Sequence, residues 1–133
     1  MNADESNKLS EKVIGGIFAV SNTLGCGFLE KVYERALVTE LRLRGLRVDT
    51  QVEFQVLYRG EWAGTYVADL IVGGELVVEL KCVERFSPEH VAQCLNYLRV
   101  SGKEVCLLVN FGHPKVEWRR ILKPKSVLPV DVS

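Results

Sequence analysis

From Tyr66 to Cys82 the chain reads Tyr-Val-Ala-Asp-Leu-Ile-Val-Gly-Gly-Glu-Leu-Val-Val-Glu-Leu-Lys-Cys, two apolar runs joined by a glycine pair. Such runs bracketing glycines predict two strands and a hairpin turn. Asp69, Glu79 and Lys81 interrupt them. Charge buried in a strand is costly unless it is paired or binds an ion, so these three side chains need a common explanation.

Glu79 and Lys81 are two apart in a strand and emerge on one face. The loop decides whether Asp69 joins them. A two-residue Gly73-Gly74 loop pairs 69 with 78 and sends Asp69 to the opposite face. A three-residue Gly-Gly-Glu loop, or a bulge, pairs 69 with 79. That register also gathers Ala68, Leu70, Val72, Leu76, Val78 and Leu80 into a wholly apolar set, and slipping it by one residue mixes acids into the set. The expectation is the odd-length loop, with Asp69 beside Glu79.

Around this hairpin the pattern is α-α-β-β-β-α-β-β. Leu9, Val13, Ile14, Ile17, Phe18 and Val20 follow helical spacing over about 6–24, with Ser6 or Ser10 as cap and Gly15-Gly16 admitting a close neighbour. A second helix spans about 29–44, ending at Gly45. Val48, Val52, Phe54 and Val56 mark a strand before the Arg59-Gly60 turn, and the hairpin strands cover about 62–72 and 76–82. Ser87-Pro88-Glu89 opens a helix running to about Val100. Strands at 104–110 and 116–122 follow, then an irregular tail beyond Lys123. The fold class is α/β (α+β): a mixed sheet with its central strands covered by helices on both faces.

The 133 residues suit one domain (1–133, core about 6–122) with a single real core. Seventeen acidic and seventeen basic residues cancel, so contact with nucleic acid must come from local patches. No apolar run approaches the ~18 residues a membrane helix needs, and the start lacks a secretory layout; a cytoplasmic location is expected. Cys26, Cys82, Cys94 and Cys106 form no CxxC pair and are expected as reduced, packed thiols.

Two adjoining carboxylates in a partly buried strand pair repel, and one is pushed toward its protonated form unless a cation relieves it. Mg²⁺ suits such a place, taking one or two carboxylates, a backbone carbonyl and waters. It polarises a phosphoryl oxygen and acidifies water, while Lys81 can position that water and offset phosphate charge. The spacing fits phosphodiester hydrolysis and equally an Asp/Glu/Lys salt-bridge group.

Asp69…Glu79-Leu80-Lys81 resembles the core of the PD-(D/E)XK nuclease superfamily, with Ala68 in place of its proline. Upstream, Gly27-Phe28-Leu29-Glu30-Lys31-Val32-Tyr33 is similar to the G-x-x-E-x-x-Y motif of the GxxExxY family within it. The resemblance spans about residues 10–122. It implies a restriction-endonuclease-like, helix-flanked mixed sheet, Asp69 and Glu79 as ligands of Mg²⁺ or Mn²⁺, Glu30 as auxiliary ligand and Lys81 as the catalytic lysine. Glu30 and Tyr33 share a helix face, so Tyr33 is either a supporting site residue or a core residue with its hydroxyl satisfied. Gln93-Cys94-Leu95-Asn96-Tyr97 looks like the Q-x-x-x-Y motif of RecB-type members; Gln93 and Tyr97 could contact phosphate or order the lysine. His90 and His113 read as surface and loop residues.

Arg119, Arg120 and Lys123, beside Trp118, are candidate nucleic-acid contacts, or charges that keep an edge strand soluble. Three functions are compatible with these features: a metal-dependent nuclease acting on DNA ahead of RNA, a catalytically silent nuclease-fold subunit that binds nucleic acid or protein, and a structural protein. A homodimer would lengthen the basic surface of so small a chain.

Overall fold

The computed structural model describes residues 2–124; the irregular tail expected at the C-terminus lies, from position 125 on, outside them. The elements are α1 (Ala3–Leu24), α2 (Glu30–Leu43), β1 (Val48–Tyr58), β2 (Glu61–Val72), β3 (Leu76–Lys81), α3 (Pro88–Ser101), β4 (Val105–Asn110) and β5 (Glu117–Leu122), in the expected order. Helix α1 starts ahead of both serines expected to cap it. Asn2 takes that role, its side-chain oxygen accepting the Glu5 N–H at 2.9 Å. Ser6 and Ser10 instead accept hydrogen bonds from the Arg120 guanidinium. Helix α3 begins as predicted at Ser87-Pro88, and His90 completes the cap by accepting the Ser87 N–H at 3.0 Å. That capping bond gives His90 a structural task.

The five strands lie in chain order, β1-β2-β3-β4-β5. Only β3 and β4 run parallel, and a parallel pair needs a crossover, which α3 supplies. Helices α1 and α2 cover one face through Val13, Ile17, Leu37, Leu41, Leu70 and Val78. On the other, α3 covers Ile71, Val77, Cys106 and Leu108 with Cys94 and Leu98. No helix among the described residues is long and apolar enough to cross a membrane. The four cysteines are free; Cys94 and Cys106 are buried, whereas Cys26 is exposed rather than packed, because the α1–α2 loop carries it outward.

Between β2 and β3 the loop is the three-residue Gly73-Gly74-Glu75, and the register Val72↔Leu76, Ile71↔Val77, Leu70↔Val78 puts Asp69 opposite Glu79. Both glycines have positive φ, 61° and 69°, a conformation that side-chain-bearing residues adopt at a cost. Glycine also explains how α1 meets α2. A Cβ on Gly16 would lie 2.7 Å from Leu41 Cδ2, and Leu41 is wholly buried. A Cβ on Gly15 would meet only the mobile end of Arg44, at 3.0 Å.

Adjacent glycines should therefore respond oppositely. Gly16→Ala is expected to destabilise the protein by about 1–3 kcal/mol through overpacking. Gly15→Ala should be neutral, or stabilising by up to about 1 kcal/mol from helix propensity. Urea unfolding of the two variants checks this, and a stabilised Gly16→Ala would contradict the α1–α2 contact.

Candidate active site

The backbone ladder between β2 and β3 stops at Leu70↔Val78, one position short of the acids. Beyond it, side chains take over. The Asp69 N–H donates to Glu79 Oε1 at 2.9 Å, and the Leu80 N–H donates to Asp69 Oδ2 at 2.9 Å. Each carboxyl accepts a bond that a carbonyl would otherwise take, so the strands part here without leaving these N–H groups unpaired. One oxygen of each carboxyl is left without a backbone donor.

The other neighbour of β2 is interrupted at the same level. Thr50↔Leu70 and Val52↔Ala68 pair, but between them Gln51 has φ 49°, a strained conformation for a residue with a side chain. The alternation of side chains reverses there. Val48, Leu70 and Val72 pack under α1 and α2, whereas Val52, Phe54, Tyr66 and Ala68 pack under α3. This corrects one expectation: Ala68 does not belong with Leu70 and Val72, because the strained residue opposite Asp69 turns the outer part of the hairpin over.

Glu79 is 2% exposed. Burial, and then the neighbouring Asp69, push its carboxyl up to about 9. Burial also raises Asp69, against the pull of the Leu80 N–H, and Glu34 adds to the rise. Near neutral pH Glu79 thus holds a proton beside Asp69. Glu30, in the first turn of α2, is raised by burial and then by Asp69 and is lowered by Lys81, which brings it within electrostatic reach of both. Lys81 donates from Nζ to Gln93 Oε1 at 3.0 Å; Gln93 Nε2 donates to the Tyr97 hydroxyl at 3.3 Å, and that hydroxyl donates to the Val67 carbonyl at 2.6 Å. Gln93 and Tyr97 thereby tether the lysine to α3 and to β2.

Tyr33 does not face the acids. Wholly buried, it stacks on Phe111 with ring centroids 4.7 Å apart. Its hydroxyl donates to the Gly25 carbonyl at 2.6 Å and accepts the Phe28 N–H at 3.3 Å. It fastens the loop that begins α2, and so acts on where Glu30 stands. Arg119 and Arg120 point to opposite faces. The Arg119 guanidinium lies 5.1 Å from the centroid of the Phe86 ring on the α3 side, and Arg120 binds α1. With Lys123 they form a line along β5, two strands from Glu79, rather than one patch. His113 bonds the Glu84 carbonyl in a loop.

Four further residues belong here. Glu34, 6% exposed, accepts from Lys31 Nζ at 3.0 Å and from Gln51 Nε2 at 3.1 Å, and it bears on Asp69. The four-residue spacing from Glu30 to Glu34 on a helix was the available signal; nothing in the sequence marks the backbone of Gln51. Asn110 and Gly112 fix the segment leaving β3. Asn110 binds both the N–H and the carbonyl of Val83, and a Cβ on Gly112 would come within 2.5 Å of that carbonyl.

A family model described as the PD-(D/E)XK nuclease superfamily matches residues 7–121. The chain belongs to that superfamily. Divalent-metal dependence is general among PD-(D/E)XK nucleases. No curated protein matches the chain. The fold is similar to the crystal structure of SSO0001, at 22% identity and TM-score 0.57, over 89% of this chain and 59% of that one. It is also similar to an alkaline exonuclease (LHK-Exo) from Laribacter hongkongensis, at 16% identity and TM-score 0.53, over 94% and 72%. The chain thus spans well under two thirds of SSO0001. Both likenesses concern the fold.

Does this PD-(D/E)XK site suit a divalent ion? No three Asp, Glu, His or Cys side chains among the described residues stand close enough to enclose one alone. The donors are nevertheless hard oxygens, two of them lack a backbone donor, and burial raises both acids, with Asp69 adding to the rise of Glu79 and Glu34 to that of Asp69. Mg²⁺ keeps several waters and needs only one or two protein carboxylates. The residues fit it.

The raised carboxyls predict how the metal-free protein responds to pH. Glu79 binds a proton more tightly folded than unfolded, so its contribution is full below about 4.5 and is lost as pH rises through about 9. Denaturant midpoints of metal-free protein should fall from pH 6 to pH 9, on the order of a few kcal/mol in stability. Glu79→Gln should flatten that decline; an equally steep fall in the variant would contradict the assignment.

Proposed function

We propose that the chain is a GxxExxY-type nuclease that hydrolyses phosphodiester bonds with Mg²⁺ or Mn²⁺ held by Asp69 and Glu79, Glu30 assisting, and Lys81 serving the attacking water. The observation that carries this reading is the paired acids at the ladder break, with Lys81 beside them on a tether from α3. The Gly27–Tyr33 segment supports the subfamily: Tyr33 clamps the loop so that α2 starts at Glu30, facing Asp69 and Lys81.

When bound, a divalent ion polarises a phosphoryl oxygen and lowers the proton affinity of water at the site. The chain's own residues do the rest. Asp69 and Glu79 surrender the proton that Glu79 otherwise keeps, so binding releases a proton and tightens with rising pH. Lys81, oriented through Gln93 and Tyr97, positions the attacking water and neutralises charge building on the phosphate. Arg119, over Phe86 on the α3 side, would contact a strand leaving the site. DNA is the first substrate to test, ahead of RNA, and a homodimer would put two such sites on one particle.

Thermal unfolding with and without Mn²⁺ tests the metal role. Wild type should gain stability with increasing ion, by about 2.7 kcal/mol at a hundredfold excess over Kd, and Asp69→Ala should gain little. In a gel assay on mixed nucleic acids, Lys81→Ala should lose about 10²–10⁴-fold in rate while keeping the metal-induced stabilisation. Stabilisation without cleavage in wild type would instead favour the catalytically silent subunit.

A further inference from the structure

The basic residues expected to hold nucleic acid are divided between two faces of β5, yet another surface adjoins the acids directly. Between α2 and the start of β1 lies an open hollow of about 400 Å³, lined by Lys31, Glu34, Arg35, Val38, Thr39 and Thr50. Its inner wall is Glu34, which accepts from Gln51, the residue level with Asp69 between the Thr50↔Leu70 and Val52↔Ala68 pairs, so the hollow adjoins the paired acids. We propose that this hollow takes the phosphodiester backbone of the substrate strand next to the scissile phosphate, with Arg35 as its principal cation and the Thr39 and Thr50 hydroxyls as donors.

Charge and hydrogen bonding in the hollow favour that occupant. Glu34 is already engaged: Lys31 pairs with it at 3.0 Å and Gln51 donates to its other oxygen. The acid is therefore compensated before any ligand arrives. Arg35 is exposed and has no acidic partner among the described residues. Neither threonine hydroxyl is used in a described side-chain hydrogen bond, and both residues are exposed. A guanidinium with two free hydroxyls above an apolar floor of Val38 suits an anionic, oxygen-rich chain; contacts of this kind fix a strand's position without reading its sequence.

The shape has a cause in the backbone. Thr50 is the last residue of β1 to face α2 before the strained Gln51 sends the following residues to the α3 side. Without that reversal β1 would continue under α2. The strain, on the order of 1–3 kcal/mol for such a conformation, is thus located where it opens the concavity beside Asp69. This proposal rests on the nuclease reading for its substrate class, but its measurement does not depend on turnover.

The test is fluorescence anisotropy of a short labelled single-stranded DNA of mixed sequence, with Ca²⁺ replacing Mg²⁺, over a salt series. Arg35→Ala should weaken binding about tenfold and reduce the slope of log K against log salt by about 0.7, one phosphate contact on a single strand. Thr50→Val should weaken binding several-fold with the slope unchanged, and Arg35→Lys should restore most of the slope. Lys12→Ala, removing an exposed α1 charge, controls for net charge. The hollow is overturned if wild type does not bind, or if Arg35→Ala loses no more than Lys12→Ala. Failure of the nuclease reading is separate: wild type would bind DNA in an Arg35-dependent way and yet cut nothing with Mg²⁺ or Mn²⁺.

Discussion

Two carboxyl groups brought together inside a sheet cannot both stay ionised at low cost unless positive charge joins them. Asp69 and Glu79 are held in that condition by the backbone itself, each anchored by an N–H of the facing strand. A pair fastened in this way cannot relax by swinging apart into solvent. Protonation of Glu79 is the relief the chain has by itself, and the proposed divalent ion would be a relief that also supplies chemistry. The separation of β2 from β3 is a consequence of the same exchange, because carboxyls have replaced the carbonyls that would have continued the ladder.

Around this pair the fold spends ordinary structural devices on placement. Tyr33 uses its hydroxyl to tie down the α1–α2 loop and so sets the first turn of α2, which carries Glu30. Gln93 and Tyr97, one helical turn apart on α3, carry a hydrogen-bonded chain from the Val67 carbonyl to Lys81. Asn110 binds Val83 from both sides, so the chain leaves β3 in one direction only. None of these groups needs to touch substrate. Each removes a freedom that would otherwise be lost when the reacting groups come together.

Much of this was legible in the residues, for identifiable reasons. The register of the β2–β3 hairpin followed from the two-residue period of a strand: only one pairing keeps the acids off the apolar face formed by Leu70, Val72, Leu76, Val78 and Leu80. The α3 start followed from Ser87-Pro88; Gly15-Gly16 announced a close neighbour, which the structure identifies as α2. Arg119 and Arg120 look like one patch, although alternation along the expected 116–122 strand already implies opposite faces. What stayed hidden was nonlocal. Tyr33 shares a helix face with Glu30 by spacing, yet the stacking partner that takes it inward, Phe111, is far away along the chain. The reversal at Gln51 moved Ala68 out of its expected set, and glutamine gives no hint of positive φ, since its propensity resembles that of any polar strand residue.

That reversal also bears on how a chain with no net charge would serve a polyanion, as proposed. A uniform coat of lysine and arginine would attract nucleic acid everywhere and would also neutralise the acids that a metal needs. Here the opposing charges are sorted over short distances instead. The acids turn inward at the ladder break, and Lys31 cancels Glu34 at the wall between site and hollow. Arg35, on the outer side of α2, has no acidic partner among the described residues. Charges more than a Debye length apart, about 8 Å in physiological salt, scarcely sense one another through water, so local sorting matters more than the total. The backbone strain at Gln51 sustains this division by separating the surface that faces α2 from the one that faces α3. Glycine in place of Gln51 would relieve that strain and keep the reversal, whereas a β-branched residue would raise its cost and favour a β1 that runs straight beneath α2 and closes the space beside Asp69. For a residue with a side chain here, the stability of the sheet and the accessibility of its acids are in direct opposition.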